Sequence, residues 1–334
     1  MQYPNRFQNR SYFWPLILIG VGVIWLLTNI GILQSANMQV LLRLWPLVLI
    51  VIGVEILLRR SQPQLATWIG IGAVVLIVAL MLVGPAIGLI RTVEVKTGNY
   101  EETLGDAQSA RVTLNLSVAD TTVTPLNDSN ELFQADVRYL GELNFNVSGG
   151  SERVISLTQS DQTTSWNWDI FTAEPNLRWD VALSPAVPID LDINGGVGNT
   201  RLELNELQLS NVRVQGGVGD VYMELPAMSE TYNVSVNGGT GSSEIIISEG
   251  AALHITVSGG VGDVRIDVPD NAAVRVDAST GVGDINLPRE FTRISGGDDQ
   301  FVGESGVWQT EGFASAERQI SIEFDGGVGQ LTIR

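Results

Sequence analysis

A side chain able to accept hydrogen bonds follows each of six sharp corners in this sequence. Asn199, Asp220, Ser242, Asp263, Asp284 and Gln330 stand four residues after Gly195, Gly216, Gly238, Gly259, Thr280 and Gly326. The surrounding strings are near copies, "GGVGDVYMELP" at 216–226, "GGVGDVRIDVP" at 259–269 and "TGVGDINLP" at 280–288. Three chemistries use glycine beside an acid. A calcium β-roll needs a nine-residue tandem repeat with its aspartates placed differently. A phosphate loop needs its lysine and a helix opening after the glycines, and neither is present. The third option is structural: a short oxygen-bearing side chain caps free amides at a turn, which explains Asp, Asn and Ser equally well. The column is read as a cap.

Other candidates for chemistry are few. His254 is the only histidine and there is no cysteine, so no zinc site can be assembled from imidazole and thiolate. In "LHITV" His254 alternates away from Leu253 and Ile255, which predicts an exposed surface residue. The nucleophile-elbow pattern GxSxG is absent. Carboxylates are plentiful, and nothing in their spacing singles out a catalytic pair. The chain reads as a non-enzyme without cofactor or metal. Trp166 and Trp168 in "SWNWDIFTAEPNLRW" (165–179) share a face by parity. They are either a partner or ligand contact or a hydrophobic cap over the end of the fold.

The elements that hold these residues follow from the repeat. Spacings between successive corner positions from Gly195 to Thr280 are 21, 22, 21 and 21, and Gly326 lies 46 further on. A fixed period near 21 marks a solenoid. Apolar residues alternate before each corner, as in Ile189, Leu191, Ile193 or Leu253, Ile255, Val257. They alternate again after it, as in Val221, Met223, Leu225 or Val264, Ile266, Val268. Period-two alternation on both sides predicts two short strands per coil, each with one face inward. The structural corners are Gly195, Gly196, Gly216, Gly217, Gly219, Gly238, Gly259, Gly260, Gly262, Gly281, Gly283, Gly326 and Gly327. The valines between them (Val197, Val218, Val261, Val282, Val328) are expected to point into the core. "RVTLNLSVADTTVTPL" (111–126) reads as a first coil with Ser and Ala in place of glycine. The predicted fold for 92–334 is an all-β, single-stranded solenoid with about 21-residue coils, clearest over 189–288.

The first 91 residues are different. Runs at 12–33, 41–58 and 68–90 are apolar and about 18–23 residues long, enough at about 1.5 Å per residue to cross a layer of about 30 Å. "WPLILIGVG" (14–22) and "WPLVLIVIG" (45–53) are duplicates. Trp14 and Trp45 mark the interface, and Pro15 and Pro46 suit a first helical turn. Glu55 reads as a last-turn carboxylate facing Arg59 rather than an ion site. Arg6, Arg10, Arg59 and Arg60 outweigh Arg43, Arg91 and Lys96, so the positive-inside rule puts the C-terminal domain outside the cytoplasmic membrane. Six of the 19 basic and one of the 37 acidic residues fall in 1–91, leaving 13 and 36 for 92–334, a net charge of −23. Such a surface repels nucleic acid.

The duplicated "WPLILIGVG" and "WPLVLIVIG" hairpin resembles the membrane region of LiaI- and LiaF-type bacterial proteins. The stretch 177–226 and the later "GGVGD…VP" coils resemble the toast-rack and LiaF C-terminal family. The resemblance implies a bacterial envelope-stress protein, in which LiaF-like members restrain a sensor kinase until wall damage releases it. The expectation is therefore a multi-pass protein of the bacterial cytoplasmic membrane, with the lipid bilayer and a sensor kinase as partners. The alternative is a surface protein holding a wall polymer, a sugar or cations.

Overall fold

The computed structural model describes residues 72, 76, 79, 80, 95–127, 130–160, 176–296 and 303–334. Gly72, Leu76, Ala79 and Leu80 are helical. Among the described residues no helix is long and apolar enough to cross a membrane. Apart from those four residues of the third, the three expected spans lie outside them, with Trp14, Pro15, Trp45, Pro46, Glu55, Arg59 and Arg60, as do Trp166 and Trp168.

The C-terminal part is built of strands, with one 3-10 turn at Phe313–Ser315. β1 (Lys96–Thr103) leads into the first coil, made of β2 (Ser109–Asn115) and β3 (Asp120–Pro125). Three long strands follow, β4 (Glu131–Tyr139), β5 (Glu142–Gly149) and β6 (Glu152–Ser160), and then β7 (Arg178–Leu183). Four regular coils come next: β8 (Ile189–Asn194) with β9 (Thr200–Glu203), β10 (Leu209–Gln215) with β11 (Val221–Leu225), β12 (Tyr232–Asn237) with β13 (Ser243–Ile247), and β14 (Leu253–Ser258) with β15 (Val264–Asp267). The chain ends with β16 (Val274–Val282), β17 (Ile285–Asn286), β18 (Thr292–Ser295), β19 (Ser305–Gln309), β20 (Ile320–Val328) and β21 (Leu331–Ile333).

Each coil gives its first strand to one sheet and its second to another. One sheet runs β18-β19-β16-β20-β14-β12-β10-β8-β2-β6-β5; the other runs β1-β4-β7-β3-β9-β11-β13-β15-β21-β17. Within the stack the pairing is parallel and in register, for instance Val212 beside Val234 and Met223 beside Ile245. The inward column Leu114, Ile193, Val214, Val236, Val257 and the facing column Val123, Leu202, Met223, Ile245, Ile266 are almost entirely buried. Each such side chain contributes about 1.5–3 kcal/mol on leaving water. The first coil lies at 109–125, where the sequence places it.

The stack departs from chain order at one place. β20 pairs with β14 on one side and β16 on the other, and β21 lies between β15 and β17. The last coil of the chain is thus inserted between the two that precede it, where a sequential solenoid was expected. Ile320, Ile322, Phe324, Leu331 and Ile333 bury their side chains there. The ends also depart from a pure solenoid. At one end β1, β4, β5, β6 and β7 include antiparallel pairings, with Phe145 against Phe133 (5.7 Å) and Tyr100 (5.2 Å) filling the space between the sheets. At the other, β19 covers β16 antiparallel. These additions shield the terminal coils, as repeat folds require.

Candidate functional site

At the corner between the two strands of a coil, a single residue bridges to the neighbouring coils. Val118, Val197, Val218, Thr240, Val261 and Val328 form a run of single parallel bridges. A Cβ on Gly217 would overlap the carbonyl oxygen of Gly196, and one on Gly239 that of Gly217. Here the glycines are demanded by the closeness of the neighbouring coil. Gly219 adds a backbone requirement, with φ at 146°, a region closed to L side chains. Gly196, Gly260, Gly262, Gly281, Gly283 and Gly327 belong to the same two columns, and Gly195, Gly216, Gly238, Gly259 and Gly326 to the column before them. Gly198, Gly239, Gly241 and Gly329 complete the pattern, although the sequence reading did not single them out. Thr240 in place of valine hides the third corner from a search for "GGVG".

The valines face solvent, contrary to the expectation that they fill the core. Val197, Val218, Val261, Val282 and Val328 are each about half exposed (49–54%). Alternation counted forward from Val214 puts Val218 inside, whereas counted back from Val221 it puts Val218 outside. The corner breaks the parity, and the count from the following strand prevails.

The acid column is a ladder of caps between coils. Asp120 Oδ1 accepts from the Asn199 amide (2.8 Å), Asn199 Oδ1 from Asp220 (3.0 Å), Asp220 Oδ1 from Ser242 (2.8 Å), and Asp263 Oδ1 from Gln330 (3.0 Å). Asn199, Asp220 and Asp263 thus each satisfy the adjoining coil's amide, which bears out the cap reading at those three positions of the column, and Asp120 does the same from the first coil. Among the described residues no group of three metal-ligating side chains is placed to hold an ion.

The outer faces carry short polar and charged ladders. Arg201 lies 4.2 Å over the Tyr222 ring, and the Tyr222 hydroxyl donates to Glu224 Oε1 (2.5 Å), which raises the phenol pKa. Arg334 grips Asp267 with two bonds of 2.6 and 3.1 Å. His254 faces outward, as its parity indicates, 3.8 Å from Glu323.

One outer-face arrangement is different. In the antiparallel pair β4–β7, Arg138 lies directly opposite Arg178, and Asp136 directly opposite Asp180. All but Asp180 are exposed and Asp180 is half-buried, while Val137 and Trp179 between them are buried. β1 brings Thr97 beside Arg138 and Asn99 beside Asp136. A cavity of about 270 Å³ opens here, lined by Thr97, Asn99, Asp136, Arg138 and Arg178 together with backbone around Gly98. The strings "DVR" (136–138) and "RWD" (178–180) signal outward charges in the sequence, but only the register of two distant strands shows like facing like.

Residues 13–93 match the LiaF transmembrane domain, and residues 91–246 match the N-terminal domain of toast_rack. No curated protein matches the chain. Among solved structures, it is similar to a candidate cell adhesion protein from Clostridium sporogenes, at 16% identity over 72% of this chain and 99% of that one, with a TM-score of 0.47. It is also similar to a candidate adhesin from Bacteroides fragilis, at 14% identity over 73% and 98%, with a TM-score of 0.34.

Proposed function

We propose that this chain, a LiaF-type transmembrane region joined to a toast-rack β domain, is a non-enzymatic regulatory module of the bacterial cell envelope. The union of those two parts in one polypeptide carries the reading. The membrane region anchors the protein, and the β domain stands on the extracytoplasmic side, where it senses the envelope and restrains a membrane partner of the sensor-kinase class. The domain's net charge of −23 supports exposure to an aqueous compartment. The stacked, corner-capped coils give a rigid rod able to present side chains at fixed spacing. The test is genetic and direct. In a deletion strain, phosphorylation of the cognate response regulator is followed with and without a wall-active antibiotic. Restraint predicts raised phosphorylation before any antibiotic is added. An unchanged basal level and an unchanged response would end this reading.

A second reading, a surface binding protein, is favoured by the polar cavity between β1, β4 and β7. Retention of the protein on purified wall material would support it.

A further inference from the structure

We propose that the outer face of β1, β4 and β7 binds a small zwitterion, with an oxyanion at the Arg138–Arg178 end and an ammonium at the Asp136 end. The span between them fits an unblocked dipeptide.

Like charges directly opposite each other in a sheet are destabilising, and this pair of strands has two such positions in succession, Arg138 against Arg178 and Asp136 against Asp180. Reversing the two charges in either strand would have set every arginine against an aspartate. A fold does not need the arrangement it has. Sites that break a local rule without structural return are where function is to be sought.

In β7, Arg178 and Asp180 close on each other at 2.5 Å. In β4, Arg138 and Asp136 stand at the same two-residue spacing on the same face, yet they form no ion pair, and neither side chain has a hydrogen-bond partner among the described residues. Most other arginines of the domain are engaged. Arg111, Arg153, Arg201, Arg213, Arg265 and Arg334 all meet carboxylates. Arg275 and Asp277 of β16 share that spacing and are also open, but a cavity lies over the Arg138–Asp136 pair.

Alternate residues of a strand are about 6.8 Å apart, which sets the distance between the guanidinium end and the carboxylate end. An extended dipeptide spans about 7 Å between its charged ends. Thr97 beside Arg138 and Asn99 beside Asp136 offer a hydrogen bond at each end. A simple anion would meet Asp136 and the negative field of the whole domain; a simple amine would meet two guanidinium groups. A ligand carrying both charges satisfies both ends. The site is independent of whether the chain restrains a kinase.

The probe is alanyl-alanine, titrated calorimetrically into the full-length protein in detergent micelles. N-acetyl-alanyl-alanine lacks the ammonium and alanyl-alaninamide lacks the carboxylate. The expected result is binding of the free dipeptide, with each blocked form at least about tenfold weaker. Arg138→Ala and Arg138→Gln both abolish binding, whereas Arg275→Ala on the other sheet leaves it unchanged. Asp136→Asn removes the preference for the free amine over the acetylated form. No heat at millimolar dipeptide, equal binding of the blocked forms, or binding that survives both Arg138 variants would overturn the proposal.

Discussion

Gly216 and Gly217 are adjacent, neither has a positive φ, and both are glycine in the repeat, yet alanine should be tolerated at one and not at the other. At Gly216 a Cβ would find its nearest atom, the Gly239 amide nitrogen, at 3.2 Å. A shift of a few tenths of an ångström accommodates that, at a cost of about 1 kcal/mol or less. At Gly217 the Cβ would overlap the Gly196 carbonyl oxygen. That oxygen accepts the Val218 amide at 2.8 Å, so relieving the clash separates the two coils and breaks this bond. Adjoining bonds go with it, since the Thr240 amide donates to Gly217 (2.9 Å) and the Gly219 amide to Thr240 (2.9 Å). Two or three such bonds lost amount to about 2–4 kcal/mol. The assay is proteolysis of the detergent-solubilised full chain across a urea series, which reports the fraction of β domain unfolded. Gly217→Ala should shift the midpoint far below wild type and Gly216→Ala hardly at all. Equal midpoints for the two variants would refute the argument that the corner's demand is space between coils.

Three further outcomes follow from the same geometry. Asp220→Ala removes the cap on the Ser242 amide and should cost about 1 kcal/mol, while Asp220→Asn, which keeps the oxygen, should stay within about 0.5 kcal/mol in the same urea series; calcium should stabilise neither. The chain has no cysteine, so pairs introduced at Ser258 with Asp325, or at Asp325 with Ser279, should join on mild oxidation as neighbours in the stack, whereas Ser258 with Ser279 should not; a bond in the last pair alone would restore sequential stacking. Burial raises the Tyr232 phenol above its ordinary pKa of 10.0, and its hydroxyl donates to the Pro226 carbonyl at 2.7 Å. The folded state therefore holds this proton after the unfolded chain releases it, so the contribution is complete below pH 10 and is lost as pH rises above it; urea midpoints should fall above pH 10 in wild type and less steeply in Tyr232→Phe.

How much of this was legible in the sequence depends on whether the signal was local. Strand positions, inward columns and the cap were readable because parity and the glycine period act over a few residues. The inserted coil was not. The 46-residue gap before Gly326 is two periods whether the last coil stacks beyond β16 or slips between β14 and β16, and only the pairing of Ile322 with both Ile255 and Val276 decides it. Val218 was misplaced because the corner consumes an odd number of residues, so alternation carried across it reverses its face. The open Arg138–Asp136 pair was hidden for a different reason. Its meaning depends on register against β7, some forty residues away, and no local pattern encodes an antiparallel register.

Whether the membrane-anchored β domain faces the envelope is decided by cysteine labelling in whole cells. One cysteine is placed at Ser229, exposed just beyond β11, and another, in a separate variant, at Ser61 between the second and third apolar runs. Intact cells are treated with a membrane-impermeant maleimide, with lysed cells as the reference. Ser229→Cys should label in intact cells and Ser61→Cys only after lysis. The reverse pattern would put the solenoid in the cytoplasm and contradict extracytoplasmic sensing outright.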